Sequence, residues 1–302
     1  MRTRFTGCGT ALVTPFTATL EVDEAALRRL VRRQVAAGIH FLVPCGTTGE
    51  SPTLSPDERR RVVSIVVEEA AGHVPVLAGA GGYDTREVVH VAREMAEAGA
   101  SGLLSVTPYY NKPTPDGLCA HYRAIAEATD LPVIVYNVPG RTGCNVDVST
   151  LTRLAAIPRI VGVKEASGNI VQICQVCHDL PPGFIVLSGD DTITLPVMAV
   201  GGRGVISVAS NEVPRPMVEM VEDAEQGRFD EARRIHDRLL PLMLVNFVES
   251  NPIPVKAAMA EMGLLTEAYR LPMVPPRPES REQIVSVLRD LGLLSDECRT
   301  GR

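Results

Sequence analysis

Only three lysines, Lys112, Lys164 and Lys256, stand among the 30 basic residues of this chain, and the rest are arginine. Arginine stays protonated at any working pH and cannot act as an amine nucleophile near neutrality. A lysine retained inside an apolar strand is therefore informative. Lys164 lies in Val161-Gly162-Val163-Lys164-Glu165. Side chains of a strand alternate, so Gly162 and Lys164 share one face and Val161 and Val163 the other. The valines can pack against helices and leave Lys164 pointing inward. Desolvation there lowers an amine's pKa and readies it to attack a carbonyl. The competing account pairs Lys164 with a carboxylate at the strand's end, and the strand alone does not choose between them.

Three further segments carry chemistry-bearing residues. Gly46-Thr47-Thr48-Gly49-Glu50 combines small residues, which let backbone N–H groups approach an anion, with two hydroxyl donors. Tyr136 in Val135-Tyr136-Asn137-Val138-Pro139-Gly140-Arg141 can relay a proton, and Arg141 can hold a carboxylate with two parallel hydrogen bonds. Thr107-Pro108-Tyr109-Tyr110-Asn111 places two aromatics on a loop of a chain that is 4% aromatic, which suits an interface or a site. The bland alternatives are an ordinary loop, a rim aromatic, a solvated charge and loop packing.

Something must bring these segments together. β-rich runs at Gly9–Val13, Phe41–Cys45, Val74–Ala78, Gly102–Val106, Val133–Asn137, Val161–Glu165, Phe184–Ser188 and Val205–Val208 recur every 20 to 34 residues or so, the length of a βα unit. Amphipathic helices fall between them, several with start signals such as Asp23, Ser55-Pro56 and Asp84-Thr85, and with stops at Gly38, Gly72 and Gly99. Eight such units predict an α/β fold, a closed (β/α)8 TIM barrel over 1-226. A C-terminal helical extension over 227-302 follows, with helices near Asp230–Phe247, Val255–Met262 and Arg281–Leu293 and a loose tail from Asp296 to Arg302. An open doubly wound sheet is disfavoured because no Gly-x-Gly-x-x-Gly follows the first strand. In such a barrel the four chemical segments all fall at the C-terminal ends of strands, and their joint placement is stronger than any one of them.

The 302 residues are 45% apolar and 22% charged, which excludes a disordered chain. Net charge is −6 and tryptophan is absent, so a nucleic-acid partner is not expected. No targeting segment and no membrane span are expected, because the longest apolar run, Leu239 to Val248, carries Pro241 and Asn246. A soluble cytoplasmic protein is the expectation. Seven scattered cysteines do not form a disulfide framework. Cys174-x-x-Cys177 with His178 resembles half a metal site, but no second ligand pair matches it, so a reduced, at least partly buried pair is expected. Gly201-Gly202-Arg203-Gly204 could suggest a phosphate loop, yet it falls before the eighth strand, at the wrong end of a barrel.

The motifs together resemble the dihydrodipicolinate synthases, a branch of the pyruvate-dependent class I aldolases that also contains N-acetylneuraminate lyase. The resemblance rests on the four segments above, with the third extended to Tyr136-Asn137-Val138-Pro139-x-Arg141-Thr142-Gly143 and the lysine strand to Val163-Lys164-Glu165-Ala166-Ser167-Gly168. Ser188-Gly189-Asp190-Asp191, Gly204-Val205-Ile206-Ser207 and Asn251-Pro252-Ile253-Pro254-Val255-Lys256 extend it, in order, from Gly9 to about Leu293. It implies that Lys164 forms a Schiff base with pyruvate, and that Thr47 and Thr48 hold the pyruvate carboxylate. Thr47, Tyr136 and Tyr110 would relay protons, Tyr110 reaching in from a neighbouring subunit. Arg141 would bind L-aspartate-4-semialdehyde, and Gly189 and Ile206 would line the site with backbone groups. It also implies a homotetramer built as a dimer of dimers, with no metal or organic cofactor.

A sister aldolase acting on a sugar acid, either N-acetylneuraminate lyase or a 2-keto-3-deoxy sugar acid aldolase, is the alternative. Arg141 favours a short amino-acid aldehyde instead. A barrel kept as a binding module would be expected to have lost these residues, and all are present. Many relatives bind L-lysine at the dimer interface. The matching positions are Ser51, Pro56, Arg59, Tyr83, Glu87 and Tyr109, of which Pro56, Arg59 and Tyr83 depart from the family's pattern, so weak or absent lysine inhibition is expected.

Overall fold

The computed structural model describes residues 5–294. Strands β1 (Gly7–Ala11), β2 (Phe41–Val43), β3 (Leu77–Gly79), β4 (Gly102–Val106), β5 (Val133–Asn137), β6 (Ile160–Glu165), β7 (Ile185–Ser188) and β8 (Gly204–Ser207) are all parallel, in the order β2-β1-β8-β7-β6-β5-β4-β3. A bridge between Leu42 and Val76, with Leu42 N donating to Pro75 O and Gly79 N to Pro44 O, brings β2 to β3 and rounds off the barrel. Around it lie α1 (Glu24–Ala36), α2 (Pro56–Ala70), α3 (Thr85–Glu97), α4 (Pro115–Ala128), the single turn α5 (Pro139–Thr142), α6 (Val148–Ala155), α7 (Ile170–Asp179), α8 (Thr194–Ala199) and α9 (Pro214–Glu225). Helices α10 (Phe229–Val245), α11 (Ile253–Glu261) and α12 (Pro278–Asp290) follow. The predicted tail from Asp296 lies outside the described residues.

The helix starts obey local chemistry. Asp23 accepts from Ala26 N, and Ser55 and Glu58 exchange hydrogen bonds in a capping box ahead of Pro56. Alternation along the strands divides the core in two. Phe41, Val43, Leu77, Leu104, Ile134, Leu187 and Ile206 fill the barrel, while Cys8, Leu42, Ala78, Val135, Val163 and Val205 pack outward under the helices.

Three strands differ by two or more residues at an end from the sequence expectation. Pro44 has no N–H and Cys45 takes a φ of 57°, so β2 stops at Val43. Pro75 likewise cannot donate, so β3 begins at Leu77. The first strand runs two residues earlier than predicted because Gly7 already pairs with Gly204. The expected outward packing of Val161 is also corrected. A register shift pairs Val133 with Ile160 but Ile134 with Gly162, and the extra residue turns Val161 toward the inner cluster.

Candidate active site

Lys164 on β6 and Tyr136 on β5 are register partners near the C-terminal ends of their strands. Lys164 Nζ lies 4.3 Å from the centroid of the Tyr136 ring. Both side chains are buried, at 6% and 7% exposure. Among the described residues the lysine held in an ion pair is Lys256, whose Nζ sits 2.5 Å from Glu50 Oε1, while Lys164 enters none. The carboxylate beside it in sequence is otherwise engaged. Glu165 accepts from Asn137 Nδ2 at 3.0 Å, Gln172 Nε2 at 3.3 Å and Ser167 N at 2.7 Å. Of the two accounts the strand left open, the paired lysine is the one this geometry does not support.

The loop after β7 makes room for the lysine. A Cβ at Gly189 would stand 2.6 Å from Ala166 Cβ and 3.1 Å from Lys164 Cε, so glycine leaves the lysine stem its path. Gly189 N donates to Glu165 O at 2.7 Å, which fixes the loop against β6. Ile206 on β8 is fully buried in the same inner cluster as Tyr136.

Beside this pair opens a cavity of about 370 Å³. Thr47, Glu50, Ser51, Arg59, Tyr109, Tyr136, Arg141 and Asn251 contribute to its wall; Lys164 does not line it but stands against the Tyr136 ring that does. Thr47 is half-buried. Thr48 is buried outside the wall, and its hydroxyl oxygen accepts from Asn251 Nδ2 at 3.0 Å. Arg141 sits on the one-turn α5, a segment expected to be a loop, and its guanidinium donates to Asn251 O at 3.2 Å. Two arginines face the cavity while the ammonium of Lys256 offsets its one carboxylate, Glu50, so the site favours anions.

Tyr110 is not brought to the others within one chain. It is 92% exposed, with φ of 69°. Tyr109 instead turns to the cavity and packs edge-on against Tyr83 at 5.1 Å.

The expected partly buried cysteine pair is half right: Cys177 is partly buried and Cys174 is exposed. Burial pushes the Cys177 thiol up to about 11. The described residues hold no group of three His, Cys, Asp or Glu side chains able to bind a metal, and no helix is long and apolar enough to cross a membrane. Gly201 and Gly202 precede β8, at the end of the barrel away from Lys164.

Sequence reasoning gave no role to Asn251 or to the Glu50–Lys256 pair. Lys256 is fully buried between the Phe16 and Tyr269 rings, at 4.3 and 5.3 Å from their centroids. The signal present in the sequence was the Asn251-to-Lys256 motif itself, which no local pattern connects to residues 47–50.

A family model described as the dihydrodipicolinate synthetase family matches residues 4–291. A protein of Koribacter versatilis named 4-hydroxy-tetrahydrodipicolinate synthase is 53% identical over 291 residues, covering 96% of this chain and 97% of the relative. The solved dihydrodipicolinate synthase of Thermotoga maritima superposes with a TM-score of 0.95 at 45% identity, covering 97% of this chain and all of that one. A solved dihydrodipicolinate synthase variant described as monomeric gives 0.94 at 45% identity, covering 96% and 98%. A near-complete match in sequence, family model and backbone leaves one assignment: this chain belongs to the dihydrodipicolinate synthetase family.

Proposed function

We propose that this enzyme is a 4-hydroxy-tetrahydrodipicolinate synthase that condenses pyruvate with L-aspartate-4-semialdehyde through a Schiff base on Lys164. The observation that carries the proposal is a buried lysine that enters no ion pair among the described residues, facing Tyr136 beside an anion-favouring cavity. Lys164 adds to pyruvate C2, and loss of water gives an iminium, a better electron sink than the ketone. Removal of a methyl proton yields an enamine, whose carbon forms the new bond to the aldehyde carbon. The second substrate's amino group then attacks C2, closes the ring and releases Lys164.

Protons must move in both directions during this sequence, which suits a phenol bridged by hydroxyls better than a carboxylate. Tyr136 supplies that phenol and Thr47 the adjoining hydroxyl. Thr47 and Thr48, with their amides, hold the pyruvate carboxylate, and Arg141 holds that of the aldehyde. Gly189 and Ile206 complete the wall around the adduct with backbone groups. Tyr110 completes the relay from a second subunit, and its near-full exposure in one chain supports that role. A homotetramer is the assembly proposed, and the exposed apolar Ile170, Val171 and Val200 offer surface for further subunit contacts. A cytoplasmic setting fits six free thiols among the described residues.

Borohydride trapping tests the chemistry. Pyruvate plus borohydride is expected to add mass to the peptide containing Lys164, and Lys164→Arg is expected to be inactive although it keeps the charge. Label on Lys112 or Lys256 would refute the assignment.

A further inference from the structure

The motif from Asn251 to Lys256 performs no step of this reaction, yet it touches both anion grips. Asn251 Nδ2 donates to Thr48 Oγ1 at 3.0 Å, and Asn251 O accepts from the Arg141 guanidinium at 3.2 Å. Thr48 lies after β2 and Arg141 after β5, so one residue near the start of α11 spans the two loops. Five residues on, Lys256 holds Glu50 of the same Thr48 loop. The brace is internal to the fold, since Asn251 is 5% exposed and Thr48 3%.

We infer that Asn251 is a positioning residue that sets the spacing of the two carboxylate grips and the polarity of the Thr48 hydroxyl. This rests on the synthase assignment above. A hydroxyl has one hydrogen to donate and two lone pairs. With Asn251 donating into the Thr48 oxygen, the Thr48 hydrogen is free for an anion. The Asn251 backbone carbonyl fixes Arg141 by accepting one of its N–H groups and leaving the others for the second substrate. The Asn251 Oδ1 atom is buried without a partner, so among the described residues no donor competes for the side-chain oxygen.

The Asn251→Asp substitution keeps size and reverses the logic. A carboxylate can only accept from Thr48, which consumes the hydrogen meant for pyruvate, and it adds a negative charge beside Arg141. The measurement is steady-state kinetics of the full-length enzyme with each substrate varied in turn, alongside thermal melting. Asn251→Asp is expected to raise KM for both pyruvate and aspartate semialdehyde at least tenfold, and Asn251→Ala, which keeps the backbone carbonyl that holds Arg141, to raise the pyruvate KM by about threefold to tenfold and leave that of aspartate semialdehyde within twofold. In each, kcat at saturation is expected to fall much less than the pyruvate KM rises. A merely structural role would lower the folded fraction and kcat together and leave KM unmoved. Wild-type turnover with the pyruvate KM of Asn251→Ala and Asn251→Asp within twofold of wild type overturns the inference. If Asn251→Asp does not fold, Asn251→Ala decides on the same criterion. Failure of the wild type itself to trap pyruvate would strike the synthase assignment instead.

Discussion

Breaking the Glu50–Lys256 pair should cost more stability than any exposed ion pair in this chain. The two charges are 2.5 Å apart at 2% and 0% side-chain exposure. At an effective dielectric of about 20 they attract by roughly 6–7 kcal/mol, a gross figure set against several kcal/mol of desolvation for each ion. The intact pair is therefore close to neutral relative to a packed apolar pair, but removing one partner strands a buried charge at about 3–5 kcal/mol. Burial already pulls the Lys256 ammonium below its ordinary pKa, with Glu50 pulling the other way. For 302 residues at about 2.1 cal/mol/K each, unfolding entropy is about 0.63 kcal/mol/K, so Glu50→Gln or Lys256→Met should lower Tm by about 5–8 °C. The double variant should recover to within about 2 °C of wild type, because a methionine packs between Phe16 and Tyr269 with no charge left unpaired. Calorimetry at one fixed scan rate provides the cycle. Single variants melting within about 2 °C of wild type, or a double variant that sums the two losses, would refute the reasoning.

Other outcomes are expected from the same structure. Tyr110→Phe and Tyr136→Phe should each be poorly active alone, and mixing them into hybrid dimers should restore some activity, since one of the two sites then receives both phenols; no recovery on verified mixing would count against a shared site. L-lysine should inhibit weakly or not at all, because Pro56 offers no side-chain hydrogen bond and Arg59 sets a fixed cation beside Tyr109 at the cavity wall; half-inhibition at submillimolar lysine and subsaturating pyruvate would show otherwise. His121 is buried against Tyr122, and burial holds its imidazole down from 6.5 to about 4. The unfolded chain therefore binds the extra proton in that window, so stability is lost as pH falls from about 6.5 toward 4, by up to about 3 kcal/mol. His121→Gln should flatten the dependence of Tm on pH across that range, and an unchanged slope would assign the acid loss to other groups.

Much of this protein was legible from sequence because its determinants are local. Period-2 runs punctuated by caps and glycines reported eight βα units, since each strand and helix carries its own pattern of burial. Lys164 stood out because arginine had replaced lysine almost everywhere else and, of the three lysines left, this one lay in an apolar strand. The placement of Thr47, Tyr136 and Arg141 at strand ends followed from the barrel's rule that loops after strands share one face. Tertiary structure decided what depends on partners far apart in the chain. The bulge that turns Val161 inward arises from the pairing of β5 with β6, not from β6 itself. The ends of β2 and β3 depend on which neighbour each proline fails to serve. Glu50 meets Lys256 across 206 residues and Thr48 meets Asn251 across 203, contacts that no local periodicity encodes. The choice between a paired and a free Lys164 belonged to the same class, because it turned on the partners of Glu165, which Asn137, Ser167 and Gln172 engage.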